Sequence, residues 1–234
     1  MATLITAGLP PVLDETNPSI SLGAQYVAPD GRKYRFARAG AVALVVGNVV
    51  QAPAEDTADQ DITPTATAVG ATQFTTSSTM TVTANQYAGG YVSVSVTPDL
   101  GGVYKIKSHP AATAAALTFT LEEPIRTAWT TSTRLDFVAN PFNGVVVCPT
   151  TRTSTPVGVA VNDLAINGYG WIQTFGPCNI RNDAAGALTV GVTVMPSSSV
   201  AGNVRLATAG NPVIGTAMTG VAASENGLIF VHLG

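Results

Sequence analysis

Apolar and polar residues alternate with a period of two along much of this chain. In residues 91–96, Val92, Val94 and Val96 fall on one face and Tyr91, Ser93 and Ser95 on the other, the signature of a half-buried antiparallel strand. Residues 32–37 repeat the pattern, with Tyr34 and Phe36 opposite Lys33 and Arg35. Residues 43–50 are apolar except for Asn48; Val45, Val46, Val49 and Val50 are stiff at χ1 and Gly47 weakens a helix, so a second strand is expected there. Further strands are predicted over 72–76, 79–83, 103–107, 116–121, 133–138, 145–148, 157–161, 169–175, 188–194, 204–208, 213–218 and 228–233. Turn chemistry separates them, at 98–102 (PDLGG), Asn167-Gly168, Gly176-Pro177, Ala185-Gly186, Asn211-Pro212 and Asn226-Gly227. No stretch carries three turns of amphipathic helix. Many short strands with regular turns predict an all-β fold, a β-sandwich or barrel.

The same pattern suggests three regions. Residues 1–30 hold Pro10, Pro11, Pro18 and Pro29 with no sustained period, which reads as an extended N-terminal arm. Such an arm does not bury Leu4, Ile5, Leu9, Val12 and Leu13 on itself, so these are expected to contact the protein's own body or a neighbouring subunit. The strands before residue 56 are too few to close a core. Residues 31–61 are therefore expected to join 141–234 in a discontinuous β core, with 62–140 inserted as a Thr-rich β module. No clear internal repeat is visible.

Composition sharpens the picture. Only 11% of the 234 residues are charged and the net charge is −3, against about 25% in an average soluble domain. A surface this poor in charge favours a subunit partly covered by companions. Nucleic acid and anionic membranes gain no general attraction from such a balance. Mean hydropathy is +0.29, but the most apolar run, 39–50, is broken by Gly40 and Gly47 and falls short of the ~20 residues a membrane helix needs. The opening MATLITAGLPPVL lacks a basic leader, so synthesis in a cytosol is expected. Cys148 and Cys178 are too few for a disulfide scaffold; two small buried hydrophobes or one bridge both fit.

Candidate chemistry is sparse. His109 and His232 lack a nucleophile context, and general-base function is not expected of either. Glu55, Asp56, Asp59 and Asp61 cluster without the loop arrangement that wraps a calcium ion. Glu122 and Glu123 are adjacent on a strand end and point to opposite faces, a poor acid/base couple. Arg32, Lys33, Arg35 and Arg38 concentrate positive charge in seven positions and are expected to meet an acidic partner or solvent. Trp171 reads as a core anchor, and Trp129, in a polar stretch, as an exposed contact residue. The expectation is a non-enzymatic protein with no catalytic residues, cofactor or metal.

Several segments carry a resemblance: GRKYRFARAGAVALVVGNVVQAPAEDTADQD, ANQYAGGYVSV with GGVYKIKSHPA, LEEPIR, NPFNGVVVCP, GYGWIQTFGPC and VIGTAM. Together, over most of residues 31–220, they are similar to tailed-bacteriophage virion structural proteins of the capsid decoration or head-associated type. The resemblance implies a β-rich decoration (cement) protein that binds the outside of the capsid through the major capsid protein and stabilises the shell. It also implies self-association, often as a homotrimer, and localisation on the virion's outer surface. It supplies no catalytic residues. The length of the chain leaves open a head-fibre, tail or receptor/glycan-binding role, with Trp129, or Tyr87 and Tyr91, as stacking platforms.

Overall fold

The structure, a computed structural model, describes residues 20–234; Leu4, Ile5, Leu9, Val12 and Leu13 lie outside the described residues. Among those described there is no α-helix, only a 3-10 turn at Thr57–Asp59 beside seventeen strands, and no helix is long and apolar enough to cross a membrane. The chain divides into two compact units, one built from the residues up to Ala54 together with Pro141–Gly234, the other from Glu55–Asn140. The first holds β1 (Gln25–Val27), β2 (Lys33–Ala39) and β3 (Val49–Gln51). The second holds β4 (Gln73–Thr75), β5 (Met80–Val82), β6 (Tyr91–Val96), β7 (Val103–Ser108), β8 (Ala112–Ala115), β9 (Thr118–Leu121) and β10 (Arg134–Val138). The first then resumes with β11 (Asn143–Val147), β12 (Pro156–Ala160), β13 (Tyr169–Arg181), β14 (Thr193–Pro196), β15 (Val204–Leu206), β16 (Gly215–Ala217) and β17 (Asn226–His232).

The ten strands of the first unit run β1-β2-β11-β3-β12-β13-β17-β16-β14-β15, and β2 also pairs with β13. That extra pairing closes β2, β11, β3, β12 and β13 into a five-stranded barrel. Its interior takes small side chains, Ala37, Ala39, Val50, Val145, Ala160 and Ile172 among them, because few strands leave a narrow lumen. Beyond Thr174 the long strand β13 leaves this barrel and pairs with β17 instead, Phe175 opposite His232 through Arg181 opposite Asn226. The change of partner coincides with a register shift between Gln173 and Phe175 and with Gly176 at φ +91°. Gly176-Pro177 is thus a bend within a continuous strand rather than the expected turn; proline's missing N–H is tolerated where the ladder is already irregular. Asn182, just past β13, bridges Val204 of β15, which closes a second ring around Cys178, Ile180, Val194, Ile214, Ile229 and Val231. On the outside of the first barrel, residues 20–28 cover Tyr34, Phe36 and Trp171, so the last third of the expected arm is part of the body.

In the second unit the sheet runs β10-β6-β7-β9-β4. Its two edges are joined through the segment before β4. Ile62 pairs with Leu135 of β10, and Pro64 bridges Thr76 just past β4, so this unit also encloses its core. Phe74, Phe119, Phe137 and Trp129 fill it, with Trp129 edge-on to Phe74 at 5.0 Å between ring centres. The acidic stretch 55–61 belongs to this unit, not to the discontinuous core.

One local device recurs. Leu44 and Leu164, Leu188 and Val221, and Thr67 and Trp129 form three isolated antiparallel bridges. Each of the six residues is followed at once by a β-turn, closed by hydrogen bonds from Asn48 to Val45, Gly168 to Ala165, Val192 to Thr189, Glu225 to Ala222, Ala71 to Ala68 and Thr133 to Thr130. In five of the turns the third residue lies at positive φ: Gly47, Asn167, Gly191, Ser224 and Gly70. The repetition missing from the sequence is therefore present in the structure. The expected strand over 43–50 is correspondingly divided, into a bridge at Leu44, a turn, and β3.

Candidate functional site

Alternation on β13, β17 and β16 decides what the first unit shows to its surroundings. Cys178, Ile180, Ile229, Val231 and Ala217 point into the second ring and are buried. Their neighbours point out: Phe175 on β13, Leu228, Phe230 and His232 on β17, and Met218 just past β16. Phe230 sits 5.2 Å from Phe175 and 4.8 Å from His232 between ring centres. Lys33, in register with Phe175 from the other side, places its Nζ 4.8 Å from the Phe175 ring. The result is an aromatic and aliphatic sheet face with a cation at one margin. Contiguous apolar faces of this kind are a common feature of protein–protein contact surfaces.

A second exposed apolar surface lies at the end of the first barrel. Loops 40–47 and 163–168 are joined by the Leu44–Leu164 bridge and by Asp163, whose carboxylate accepts from the Val46 N–H at 2.9 Å. Leu44 and Leu164 are buried, whereas Val42, Val45, Val46 and Ile166 are 54–57% exposed.

The basic cluster is dispersed by the fold. Arg32 pairs with Asp30 at 2.7 Å, and Arg35 donates to the Gly23 carbonyl at 2.9 Å. Arg38 has a buried Nε without a hydrogen-bond partner. Trp129 corrects the expectation of an exposed contact: it is 1% exposed. Its indole N–H donates to Asp99 at 3.0 Å, and the Tyr104 hydroxyl donates to the same carboxylate oxygen. Polar sequence neighbours misled the reading because they occupy the turn that follows the Trp129 bridge. Tyr87 is buried too, its hydroxyl donating to Asp59 at 2.5 Å. Of the proposed stacking platforms, Tyr91 is exposed, flanked on its face by Val138 and Lys105.

His109 is a core residue. Its Nε2 accepts from the Tyr87 N–H at 3.0 Å, so the ring proton lies on Nδ1, which donates to the Pro110 carbonyl at 2.8 Å. Burial holds its pKa below the usual histidine value and raises that of Asp59. Asp56 caps the 3-10 turn, and Asp61 takes an ion pair with Arg134. Three of the four acidic residues are thus engaged locally, Glu55 is exposed, and no group of metal-ligating side chains occurs among the described residues. Glu122 pairs with Lys105 at 3.1 Å. His232 lies on the outward face described above. Cys148 and Cys178 are free and buried, and burial pushes their thiols up to about 11 and about 12. Trp171 is buried against Tyr26 and Phe36.

Asp183 anchors a buried polar network. It accepts from the Ser197 hydroxyl at 2.6 Å and the Ala185 N–H at 2.8 Å, while Ser197 accepts the N–H groups of Ser199 and Val200. These bonds pin the loop that carries Ser197. Neither exposed surface was singled out in the sequence, because residues 228–231 (LIFV) are apolar on both faces of their strand and give no alternation to read. No protein-family model, curated protein or solved structure matches the chain.

Proposed function

We propose that this chain is a non-enzymatic structural protein of a tailed-phage virion, seated on the outside of the capsid as a decoration protein that stabilises the shell. The observation that carries the reading is the outward face of β13, β17 and β16, where Leu228 and Met218 are exposed and Phe175 and Phe230 are half-buried against each other. A closed-barrel body offers a stiff platform for such a face, and the low charge of the chain suits a protein that works in contact with others. On the resemblance read in the sequence over residues 31–220, the partner proposed is the major capsid protein and the arrangement of copies a trimer.

The test is cosedimentation of the purified protein with capsids that lack it. Saturable binding at a copy number matching the symmetry sites of the shell is expected, with Phe230→Asp weakening binding by about tenfold or more, as loss of a central apolar anchor does. Absence of binding, or a handful of copies per particle, overturns the reading. A second reading, glycan or receptor binding by the inserted unit, is favoured by the exposure of Tyr91. Host adsorption lost in Tyr91→Ala, with Phe230→Asp silent, is the outcome that selects it.

A further inference from the structure

We infer that the surface seated against the outward face of β13, β17 and β16 is a protein surface with an apolar centre and carboxylates at two margins about 20 Å apart, one meeting Lys33 and the other Arg181. This rests on the capsid-seating reading and adds to it the chemistry that the partner's surface presents.

The cations of the first unit supply the observation. Arg32 pairs with Asp30, Arg35 donates to the Gly23 carbonyl, Arg152 donates to Asn211, and Arg205 reaches Asp183 and two serine hydroxyls. Among the described residues, the side chains of Lys33, Arg38 and Arg181 take no hydrogen bond or ion pair. The first and last of these border the face. Lys33 stands opposite Phe175, with its Nζ 4.8 Å from the centre of that ring. Arg181 is exposed and lies six residues further along β13. Alternation gives it the side of the strand that Phe175 occupies, since Cys178 and Ile180 point inward. Six residues of strand span about 20 Å at ~3.3 Å per residue, so the two cations stand at opposite ends of the face.

No carboxylate side chain lies between them. The outward positions of β13 are Phe175, Pro177 and Asn179, and those of β17 opposite run from Asn226 to His232 without an acid. Glu225, just before β17, is exposed and makes no ion pair with Arg181. Covering Leu228, Phe230 and Met218 brings both cations to the rim of a contact. An opposed carboxylate there offsets their loss of water, which an apolar group or a second cation does not.

The arrangement selects a protein over other anionic surfaces. Duplex nucleic acid offers a charge about every 1.7 Å along its axis and nothing apolar to cover Leu228 and Met218. An anionic bilayer draws proteins by positive charge, and this chain carries a net −3. Phe175, Leu228 and Phe230 also sit on strands rather than at the tip of a projecting loop that enters lipid.

The test measures binding of the purified chain to capsids that lack it, at about 0.05 and about 0.5 M NaCl, because salt screens charge pairs at a rim. Wild-type binding is expected to weaken about tenfold at the higher salt. Lys33→Glu and, separately, Arg181→Glu are expected to weaken binding about five- to tenfold at the lower salt and less than about twofold at the higher. Lys107→Glu makes the same change of net charge at an exposed position of the inserted unit and is expected to leave binding unchanged. Circular dichroism is expected to show unchanged strand content in all three. Salt-independent binding, or reversals no stronger than Lys107→Glu, overturns the inference, while Phe230→Asp still weakening binding keeps the seating reading. Phosphatidylserine vesicles and duplex DNA are assayed in parallel. Retention on either of them, abolished by both reversals and with no binding to capsids, overturns the protein partner and the seating together.

Discussion

His109 shows how burial converts a chemically versatile side chain into a structural one. Both ring nitrogens are engaged, and the acceptor role of Nε2 requires the neutral ring. Because its folded pKa is lowered from 6.5, the unfolded chain takes up a proton at pH values where the folded chain does not. The stability that neutral His109 supports is fully present above pH 6.5 and is lost as pH falls below it toward the lowered value. Asp59, raised from 3.8, works in the opposite sense, since its folded form gains a proton first as pH falls. The two are separable by substitution. Urea denaturation followed by Trp129 fluorescence should show a midpoint that drops between pH 7.5 and 5 in the wild type and drops less in His109→Gln. Equal drops in both would assign the pH dependence elsewhere.

The six bridge-and-turn elements explain both what was legible in the sequence and what was not. Alternation was readable in β2, β6, β7 and β10, which were expected near their observed positions, and β17 was expected from its continuous apolar run. The turns were harder because their chemistry is positional. The residue at positive φ is glycine at 47, 70 and 191, asparagine at 167 and serine at 224, so no fixed residue announces the repeat. Gly176-Pro177 and Asn226-Gly227 failed as turn signals for a related reason: each glycine answers a local steric demand inside a strand. At Gly227 a Cβ would lie 1.9 Å from Cγ2 of Val221, the bridge residue of the neighbouring turn. Gly227→Ala should therefore cost about 1–3 kcal/mol. Gly220→Ala, whose Cβ would meet nothing closer than the Leu188 carbonyl at 3.9 Å, should stay within ~0.5 kcal/mol. Comparable thermal midpoints for the two variants would refute the close-packing explanation.

At the scale of the whole molecule, the distribution of probes follows the division into units. The chain has two tryptophans and two cysteines. Trp171, Cys148 and Cys178 are buried in the first unit and Trp129 in the second. Each unit encloses its own core, so each is expected to lose structure as a cooperative step of its own. Exposed apolar faces on β17 and at the Leu44–Leu164 end were invisible in the sequence because buried and exposed valines look alike until the closure of the sheets assigns them a side. Thiol labelling provides the check on that assignment. In native protein both thiols should react slowly, since they are buried and their pKa values stand near 11 and 12. As urea rises, labelling should begin with the fluorescence transition of Trp171, measured in Trp129→Phe, and not with that of Trp129, measured in Trp171→Phe. Labelling that follows Trp129 would mean that the core around Cys178 opens with the inserted unit, and the two units would then have to be treated as one cooperative body.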